Sequence, residues 1–483
     1  MDLEEFRRRA HEIVDFVADY LENVERFPVR SPVRPGEIAA RLPDRAPEEP
    51  EAFERLMADV EQIVLPGLTH WQHPRFLAFF PANSSPPSVL GEILTAGFAV
   101  NALIWQGSPA ATEMETVVLD WLRREIGLPE GFRGVIQTTA SEATLAALLV
   151  AREKATGWRS NEEGLAGGPP LAVYASEEAH SSVEKDVGIA GIGRGNLRRI
   201  PTDDALAMQP EALEAAIRED LERGIRPCAI VATLGTTGVG ACDPLRPIGE
   251  IARRHDVFLH VDAAWAGSAL ILPEWRHLAD GVELVDSFVF NPHKWLMTNF
   301  DCSAHFVRDA DALIRTFSIL PPYLRSAETG RVIDYRDWGI PLGRRFRALK
   351  LWFVLRLYGL EGLRAILRRH IELARELAGW IDREPGFVRV TGPHLALVTV
   401  RFEPEGLDPE RTEALNRALP EAVNRDGRTM VTPHIVRGRA VTRLCVGQTS
   451  TERRHVEEAW RAVVEVARDL EARLRAGEEL PVG

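Results

Sequence analysis

Leu3, Phe6, Ala10, Ile13, Val14, Val17, Leu21 and Val24 recur in steps of three and four, which predicts an amphipathic helix at the start of the chain. Pro28, Pro32, Pro35, Pro43, Pro47 and Pro50 follow. Each fixes its own φ and bars the residue before it from helix, so this stretch is expected to be an extended arm. A second helical pattern covers about 51–65 and is expected to end at Pro66-Gly67. From 86 to 355 short β-branched runs alternate with longer helical ones: "GVIQTT" then "SEATLAALLVAREKA", "LAVYAS" then "HSSVEKDVGIAG", "CAIVATLG" then "PLRPIGEIARRH", and finally "VFLHVDAA" and "SFVFN". This alternation predicts an α/β fold, a mostly parallel sheet with helices on both faces. Beyond 355 come a helical stretch (about 360–382), strand candidates "FVRV" and "LALVTVRF", and a terminal helix from Thr451 with its apolar line at Val456, Ala459, Trp460, Val463, Ala467 and Leu470. The expected organisation is therefore an N-terminal helical segment (1–85), a large domain (86–355) and a smaller α+β domain (356–483). "GWRSNEEGLAGGPP" (157–170) reads as a surface loop.

Composition narrows the class. Net charge is −13, from 58 basic against 71 acidic residues, which argues against a nucleic-acid or anionic-membrane surface. The local basic run "GRRFRALKLWFVLR" spaces its arginines among apolar residues as a helix with one charged face does. Four cysteines, Cys228, Cys242, Cys302 and Cys445, form no CxxC pair; that excludes a zinc ribbon and suits a reducing compartment. The acidic N-terminus is no secretory signal, and no run of 18 apolar residues occurs, so a soluble cytoplasmic protein is expected.

In open parallel sheets ligands gather at the carboxyl ends of strands, and three such ends carry polar residues. In "QTTASEATL" a strand ends at Gln137 and a helix starts near Ser141. The free N–H groups and dipole of that start suit a phosphate, although Ser141-Glu142 serves equally as an ordinary N-cap. Neither GxxxxGK[ST] nor GxGxxG is present. In "HVDAAWAG" Asp262 closes an apolar strand; a carboxylate there needs a cationic or N–H partner, which a structural ion pair also provides. In "DSFVFNPHKWL" Lys294 follows another strand, where a solvated turn lysine is the default. Taken together, a phosphate cradle, an aspartate and a lysine at one sheet edge match pyridoxal 5′-phosphate (PLP). The lysine forms a Schiff base with its aldehyde, and the aspartate keeps its ring nitrogen protonated.

Longer motifs sharpen this. "SPAATEMET", "HSSVEK", "ATLGTTG", "HVDAAWAG", "FNPHKWL" and "DYRDWGIPLGRRFRALKLWFVLRLYG" resemble the PLP-dependent group II amino-acid decarboxylases, specifically the aromatic-L-amino-acid decarboxylase branch. The likeness runs in order from about 5 to 470. It implies the type I PLP-dependent (aspartate aminotransferase-like) fold, with 86–355 binding PLP. It also implies a homodimer in which 1–85 packs on the partner. By this resemblance Lys294 is the Schiff-base lysine, Asp262 the partner of the pyridine nitrogen and His180 the ring that stacks on the cofactor. Ala140, Ser141 and Asn291 match phosphate contacts, His293 stands beside the lysine, and Thr237 and Ala264 line the ring. Tyr323, in "LPPYLRSAETG", matches a tyrosine on a mobile loop that protonates Cα, and Ser326, Thr329 and Gly330 suit such a lid.

Relatives with phenylalanine at the position of Tyr323 are aldehyde synthases. Tyrosine here, with His180 retained, implies plain decarboxylation with amine release. In "THWQHPRFLAFFPANSSPPS" Trp71, Phe79, Phe80 and Pro81 are expected to make an aromatic wall. Arg75 is the only arginine or lysine in that segment, and a surface role is expected for it. Gly343 stands where the histidine branch has serine, leaving space for bulky rings. Asn101, Leu103, Phe79 and Trp265 depart from the animal enzymes, which weakens a catechol preference. Tryptophan, phenylalanine, tyrosine and DOPA stay open, with tryptophan or phenylalanine favoured. The alternatives are an aromatic aldehyde synthase, a decarboxylase of a non-aromatic amino acid, and a cofactor-binding protein without turnover. No metal is expected.

Overall fold

The computed structural model describes residues 1–319, 328 and 331–480. In chain order its main elements begin with helices α1 (Leu3–Asn23) and α2 (Pro109–Glu125). Strand β1 (Arg133–Gln137), helix α3 (Ala140–Ala155), strand β2 (Leu171–Ser176) and helix α4 (Ser181–Ile189) follow. Strands β3 (Leu197–Ile200), β4 (Arg226–Thr233), β5 (Phe258–Asp262), β6 (Ser287–Phe290) and β7 (Ser303–Val307) lead to helix α5 (Arg347–Arg383), broken at Gly359. The chain closes with β8 (Phe387–His394), β9 (Leu397–Phe402), α6 (Pro409–Asp426), β10 (Thr432–Val436), β11 (Arg439–Cys445) and α7 (Arg453–Arg475). Two compact units result: Ala82–Arg369, and Met1–Pro81 together with His370–Gly483.

The unit Ala82–Arg369 is built on a seven-stranded sheet of order β1-β7-β6-β5-β4-β2-β3. The pairs β2/β3, β2/β4, β4/β5 and β5/β6 are parallel. Strand β7 runs antiparallel to both β6 and β1. The mostly parallel α/β sheet read from the alternation is thus present, with β3 and β7 added to it. Every residue of β2 and β6 is buried, as expected for strands covered on both faces.

Strand β1 is an edge, and its exposed ladder is sealed by a buried ion pair. The Ile136 N–H donates to Glu115 of α2 at 2.8 Å, while the Arg344 guanidinium donates to the Ile136 carbonyl at 2.9 Å and to Glu115 at 2.7 Å. Glu115 is 2% exposed and Arg344 8%. Blunting an edge in this way removes a template for pairing with another chain.

The second unit carries a four-stranded antiparallel sheet, β10-β11-β9-β8, whose core gathers Val398, Val400 and Phe402 with Leu415 and Leu419 of α6 and Val456, Trp460 and Val463 of α7. The N-terminal segment joins this sheet directly: Leu77 N–H donates to Met430 O at 3.0 Å and Cys445 N–H to Leu77 O at 2.9 Å. Helix α1 has Asp2 as its N-cap and leaves Leu3, Phe6, Ile13 and Val14 exposed. The expected second helix runs Phe53–Asp59, widens into a π turn at Val60–Val64, and takes Pro66 into a last turn, Leu65–Gly67. The loop 157–170 contains a single helical turn, Ser160–Glu163. Among the described residues no helix is long and apolar enough to cross a membrane.

Removing one partner of the Glu115–Arg344 pair strands the other as a buried charge. Glu115→Ala is expected to destabilise the protein by about 3–5 kcal/mol, measured as a lowered denaturation midpoint; an unchanged midpoint would show that the edge is held by other means.

Candidate active site

The start of α3 is built from hydroxyls. Thr139 is extended (φ −141°) and caps the helix, its Oγ1 accepting from Glu142 N–H. The Glu142 carboxylate reaches back to accept the Thr138 N–H at 2.7 Å and the Thr138 hydroxyl. The capping role therefore falls to Thr139 and not to Ser141, which sits half-buried in the first turn with its hydroxyl unused as a cap. Ala140 packs with Ala143 and with Val289 of β6, and Ala264 lies against them, so three strand ends converge at this helix start. Asn291 ties them further. Its N–H donates to Ala264 O at 2.8 Å, and its side-chain oxygen accepts from Ser303 Oγ at 2.6 Å. With that oxygen occupied, the carboxamide offers its N–H2 as donor.

Asp262 closes β5, pairs in register with Thr233 and Val289, and is 6% exposed. One oxygen accepts the Ala264 N–H at 3.0 Å. His180 caps α4: its Nδ1 accepts from Ser182 N–H at 3.2 Å and lies 2.8 Å from Ser182 Oγ. Although His180 is exposed as a residue, partial burial of the ring is the largest influence on it and lowers its pKa. Asp262 opposes that shift and Lys294 adds to it. Asp262 and Lys294 thus both lie within electrostatic reach of His180. Thr237 is exposed and Ala264 half-buried.

Lys294 lies in a single turn, Pro292–Trp295, capped by Asn291, and is half-buried. Asn83, which nothing in the sequence pattern marked, holds this turn: its N–H donates to His293 O at 2.8 Å and its Nδ2 to Lys294 O at 2.7 Å. His293 is buried, and its Nδ1 accepts from Cys302 N–H at 2.9 Å. Burial first, then the neighbouring Lys294, push its pKa down to about 3, so the ring is neutral beside the amine with its proton on Nε2.

Asn101, Leu103 and Gly343 are brought together. Asn101 Oδ1 accepts from Arg344 N–H at 2.9 Å, Ala102 N–H donates to Arg344 O at 2.8 Å, and Arg336 N–H donates to Leu103 O at 2.9 Å. A cleft lined by Gln137, Thr138, Glu142, Gly343 and Arg344 lies beside the start of α3. In the other unit Trp71 and Phe79 stack at 5.5 Å with planes 10° apart and are partly open to solvent. Phe80 is buried close to Gly447, and Pro81 is buried as well. Arg75 pairs with Glu458 at 2.5 Å. Trp265 is buried against Gly235 and 5.6 Å from Trp295. Tyr323 lies outside the described residues, as do Ser326, Thr329 and Gly330.

This donor set fits PLP. A helix start with an uncommitted hydroxyl and an amide donor suits a phosphate. A buried carboxylate with one oxygen already bound suits a ring N–H⁺, and an amine next to the neutral His293 suits an aldehyde.

Comparison with known proteins places the chain in context. The model of the pyridoxal-dependent decarboxylase conserved domain matches residues 35–403. The chain is 44% identical over 480 residues to phenylacetaldehyde synthase of Arabidopsis thaliana, covering 97% of this chain and 96% of that protein. It is 43% identical to aromatic-L-amino-acid decarboxylase of Sus scrofa, covering 99% of each. A crystal structure of Oryza sativa TDC with PLP and tryptamine superposes with a TM-score of 0.94 at 37% identity, covering 97% of this chain and 99% of that one.

Loss of the helix cap isolates the contribution of the α3 start. Thr139→Ala is expected to lower stability by about 1 kcal/mol and to weaken PLP binding several-fold, read by thermal denaturation and by titration of the apoprotein with PLP. Unchanged PLP affinity would separate this helix start from the phosphate.

Proposed function

The chain belongs to the pyridoxal-dependent decarboxylase family, and from that premise we propose that it removes the carboxylate of an aromatic L-amino acid as CO2 and releases the corresponding amine. It is a PLP-dependent carboxy-lyase, and its relatives include tyrosine, tryptophan and aromatic-L-amino-acid decarboxylases. The observation that supports the site assignment is the convergence of Ala140, Ala264 and Val289 at the helix start, where Ala264 N–H donates to Asp262 and Ala264 O accepts from Asn291, the residue whose carbonyl accepts from Lys294 N–H.

When bound, PLP would supply an electron-accepting ring for the pair left at Cα. The chain's own groups supply the rest. The Lys294 amine would hold the aldehyde carbon. Asp262 holds a proton on the ring nitrogen, its carboxylate oriented by the Ala264 N–H. His180 covers the ring as a neutral imidazole, oriented by Ser182. Ser141, the Asn291 amide and the first N–H groups of α3 hold the phosphate, with Ala140 packed beneath. Thr237 and Ala264 border the ring. His293, neutral and fixed by Cys302, adds no competing charge beside the amine. Tyr323 delivers the proton to Cα.

Trp71 and Phe79 support a flat apolar side chain for the substrate. Gly343, with no atom of a neighbour closer than 3.7 Å to a Cβ built on it, supports a bulky ring; Asn101 and Leu103 belong with Gly343 among the proposed substrate residues of the large unit, and Phe80 and Pro81 with Trp71 and Phe79 among those of the other. Tryptophan or phenylalanine is the favoured substrate. A homodimer is supported by the exposed Leu3, Phe6, Ile13 and Val14 of α1, which a second copy would cover. A cytoplasmic location is supported by four cysteines that all remain unpaired.

An aldehyde synthase is the second reading, because proteins of that kind are among the relatives; Tyr323 favours amine release. Incubation with tryptophan and phenylalanine is expected to give amine without peroxide, and Tyr323→Phe to shift the products toward aldehyde and ammonia. Aldehyde as the main wild-type product would reverse the assignment. Lys294→Ala is expected to lose the yellow absorbance near ~420 nm that a lysine-linked aldehyde gives, together with turnover. A folded variant that keeps both would remove Lys294 from the site.

A further inference from the structure

Lys294 sits in a turn too short to hold itself. The four residues Pro292–Trp295 close on Asn291 and Pro292, whose carbonyls accept Lys294 N–H at 2.9 Å and Leu296 N–H at 3.1 Å. The carbonyls that follow lie at a helix end and need donors from elsewhere. One stretch of chain, 83–88, supplies them. Asn83 N–H donates to His293 O at 2.8 Å and Asn83 Nδ2 to Lys294 O at 2.7 Å. Ser85 Oγ donates to Met297 O at 2.6 Å, and Ser88 Oγ accepts Asn299 N–H at 2.7 Å. Ser85 immediately precedes the helix Pro86–Phe98, yet its hydroxyl does not cap that helix; it is used on Met297 instead. Asn83, Ser85 and Ser88 are all buried.

The stretch 83–88 is itself anchored. Helix Pro86–Phe98 lies so close to α5 that a Cβ at Gly91 would meet the Lys350 Cα at 2.6 Å. Glu92 pairs with the buried Lys350 Nζ at 3.0 Å, so the helix cannot slide without uncovering a charge. His293 has a further tie: its N–H donates to Cys302 O at 3.2 Å, and its Nδ1 accepts Cys302 N–H at 2.9 Å. Next to Cys302, Asp301 takes both of its oxygens to Arg347 of α5, at 3.1 and 3.0 Å. The two segments that grip the His293–Lys294 turn are therefore both fastened to the start of α5.

We propose that Asn83 is a positioning residue for Lys294: its carboxamide, by holding the Lys294 carbonyl, fixes the backbone from which the amine reaches the cofactor's aldehyde. The proposal rests on the assignment of Lys294 to that aldehyde. A lysine amine rides on a flexible four-carbon stem, so its reach is defined once its own backbone is held. Misplacing a reacting group by about 1 Å can cost about 10²-fold in rate. The tie needs a donor, because the Lys294 carbonyl accepts. A carboxamide offers one, whereas a carboxylate of the same shape would set two acceptors against each other.

Two substitutions separate positioning from mere support. Asn83→Ala removes the donor to Lys294 O and leaves the main-chain bond to His293 O. Ser85→Ala removes a buried bond of the same kind from Met297 O, beyond the turn. Both are expected to lower the melting temperature of the apoprotein to a similar extent. PLP added to the apoproteins is followed by the yellow absorbance near ~420 nm. There Asn83→Ala is expected to bind about fivefold more weakly than wild type, and Ser85→Ala to match it within about twofold. In turnover, Asn83→Ala should lose about tenfold in kcat with KM changed less than about twofold. PLP affinity or kcat unchanged in Asn83→Ala, or an equal loss of PLP affinity in Ser85→Ala, overturns the proposal. If Asn83→Ala fails to fold, Asn83→Ser, polar but too short to reach the Lys294 carbonyl, is read in its place against the same outcomes. Lys294→Ala locates any failure: absorbance lost there but kept in full by Asn83→Ala faults Asn83, whereas absorbance retained there faults the assignment of Lys294 and the proposal with it.

Discussion

The arrangement of the site depends on a guanidinium–carboxylate pair at the rim of the large sheet. Strand β1 has no neighbour on its outer side, so the N–H and C=O of Ile136 need partners there. Glu115 takes the first and Arg344 the second, and each also binds the other. Because the Arg344 main chain in turn binds Asn101 and Ala102, one ion pair fixes both the strand that delivers Thr139 to the start of α3 and the loop that carries Gly343. Tyr335 lies under the guanidinium, 4.6 Å from its carbon. A buried pair of this kind is weak evidence for net stability, since desolvation offsets much of its attraction. What it supplies here is register: neither α2 nor the Gly343 loop can slide along β1 without uncovering a charge.

A second constraint is the neutrality of the buried imidazoles. His260, Ser287 and His305 form a hydrogen-bonded row across β5, β6 and β7 that ends on Thr144 of α3. Burial lowers both rings, as it does His293. Protonation of any of them would place a cation next to the strand ends where Asp262 and Lys294 stand. Keeping them neutral adds no further cation near Asp262, as the proposed pairing of that carboxylate with a ring N–H⁺ requires.

The parts of this architecture that could be read from sequence are those that repeat locally. Strands β1, β2, β4, β5 and β6 stand out because parallel strands buried on both faces read as apolar runs, and α1 and α7 because one face is apolar at helical spacing. Strand β3 is "LRRI" and β7 is "SAHFV"; their charged or hydroxyl-bearing residues broke the run. In the fold those residues are satisfied from a distance: Arg198 by Asp220, Ser303 by Asn291, His305 by Ser287. The same limit governs the site. Asp262 and Lys294 announce themselves by following strands, whereas Asn83 acts on Lys294 from 211 positions away and has no local mark. The cap of α3 was ambiguous because threonine and serine both suit it, and only the backbone geometry selects Thr139.

Specificity follows from the same inventory. Arg75 is held by Glu458, which deprives the Trp71–Phe79 segment of a cation for a distal carboxylate. In the proposed reading this disfavours acidic side chains, because a buried charge without a counterion is costly. Discrimination among aromatic side chains is a different matter. On the proposed aromatic wall of Trp71 and Phe79, the choice would rest on shape and contact area. Differences of that kind amount to about 1–3 kcal/mol per methylene-sized change in an apolar pocket. The chain is therefore expected to accept several aromatic amino acids with graded efficiency, and the grading to follow ring size more closely than ring hydroxylation.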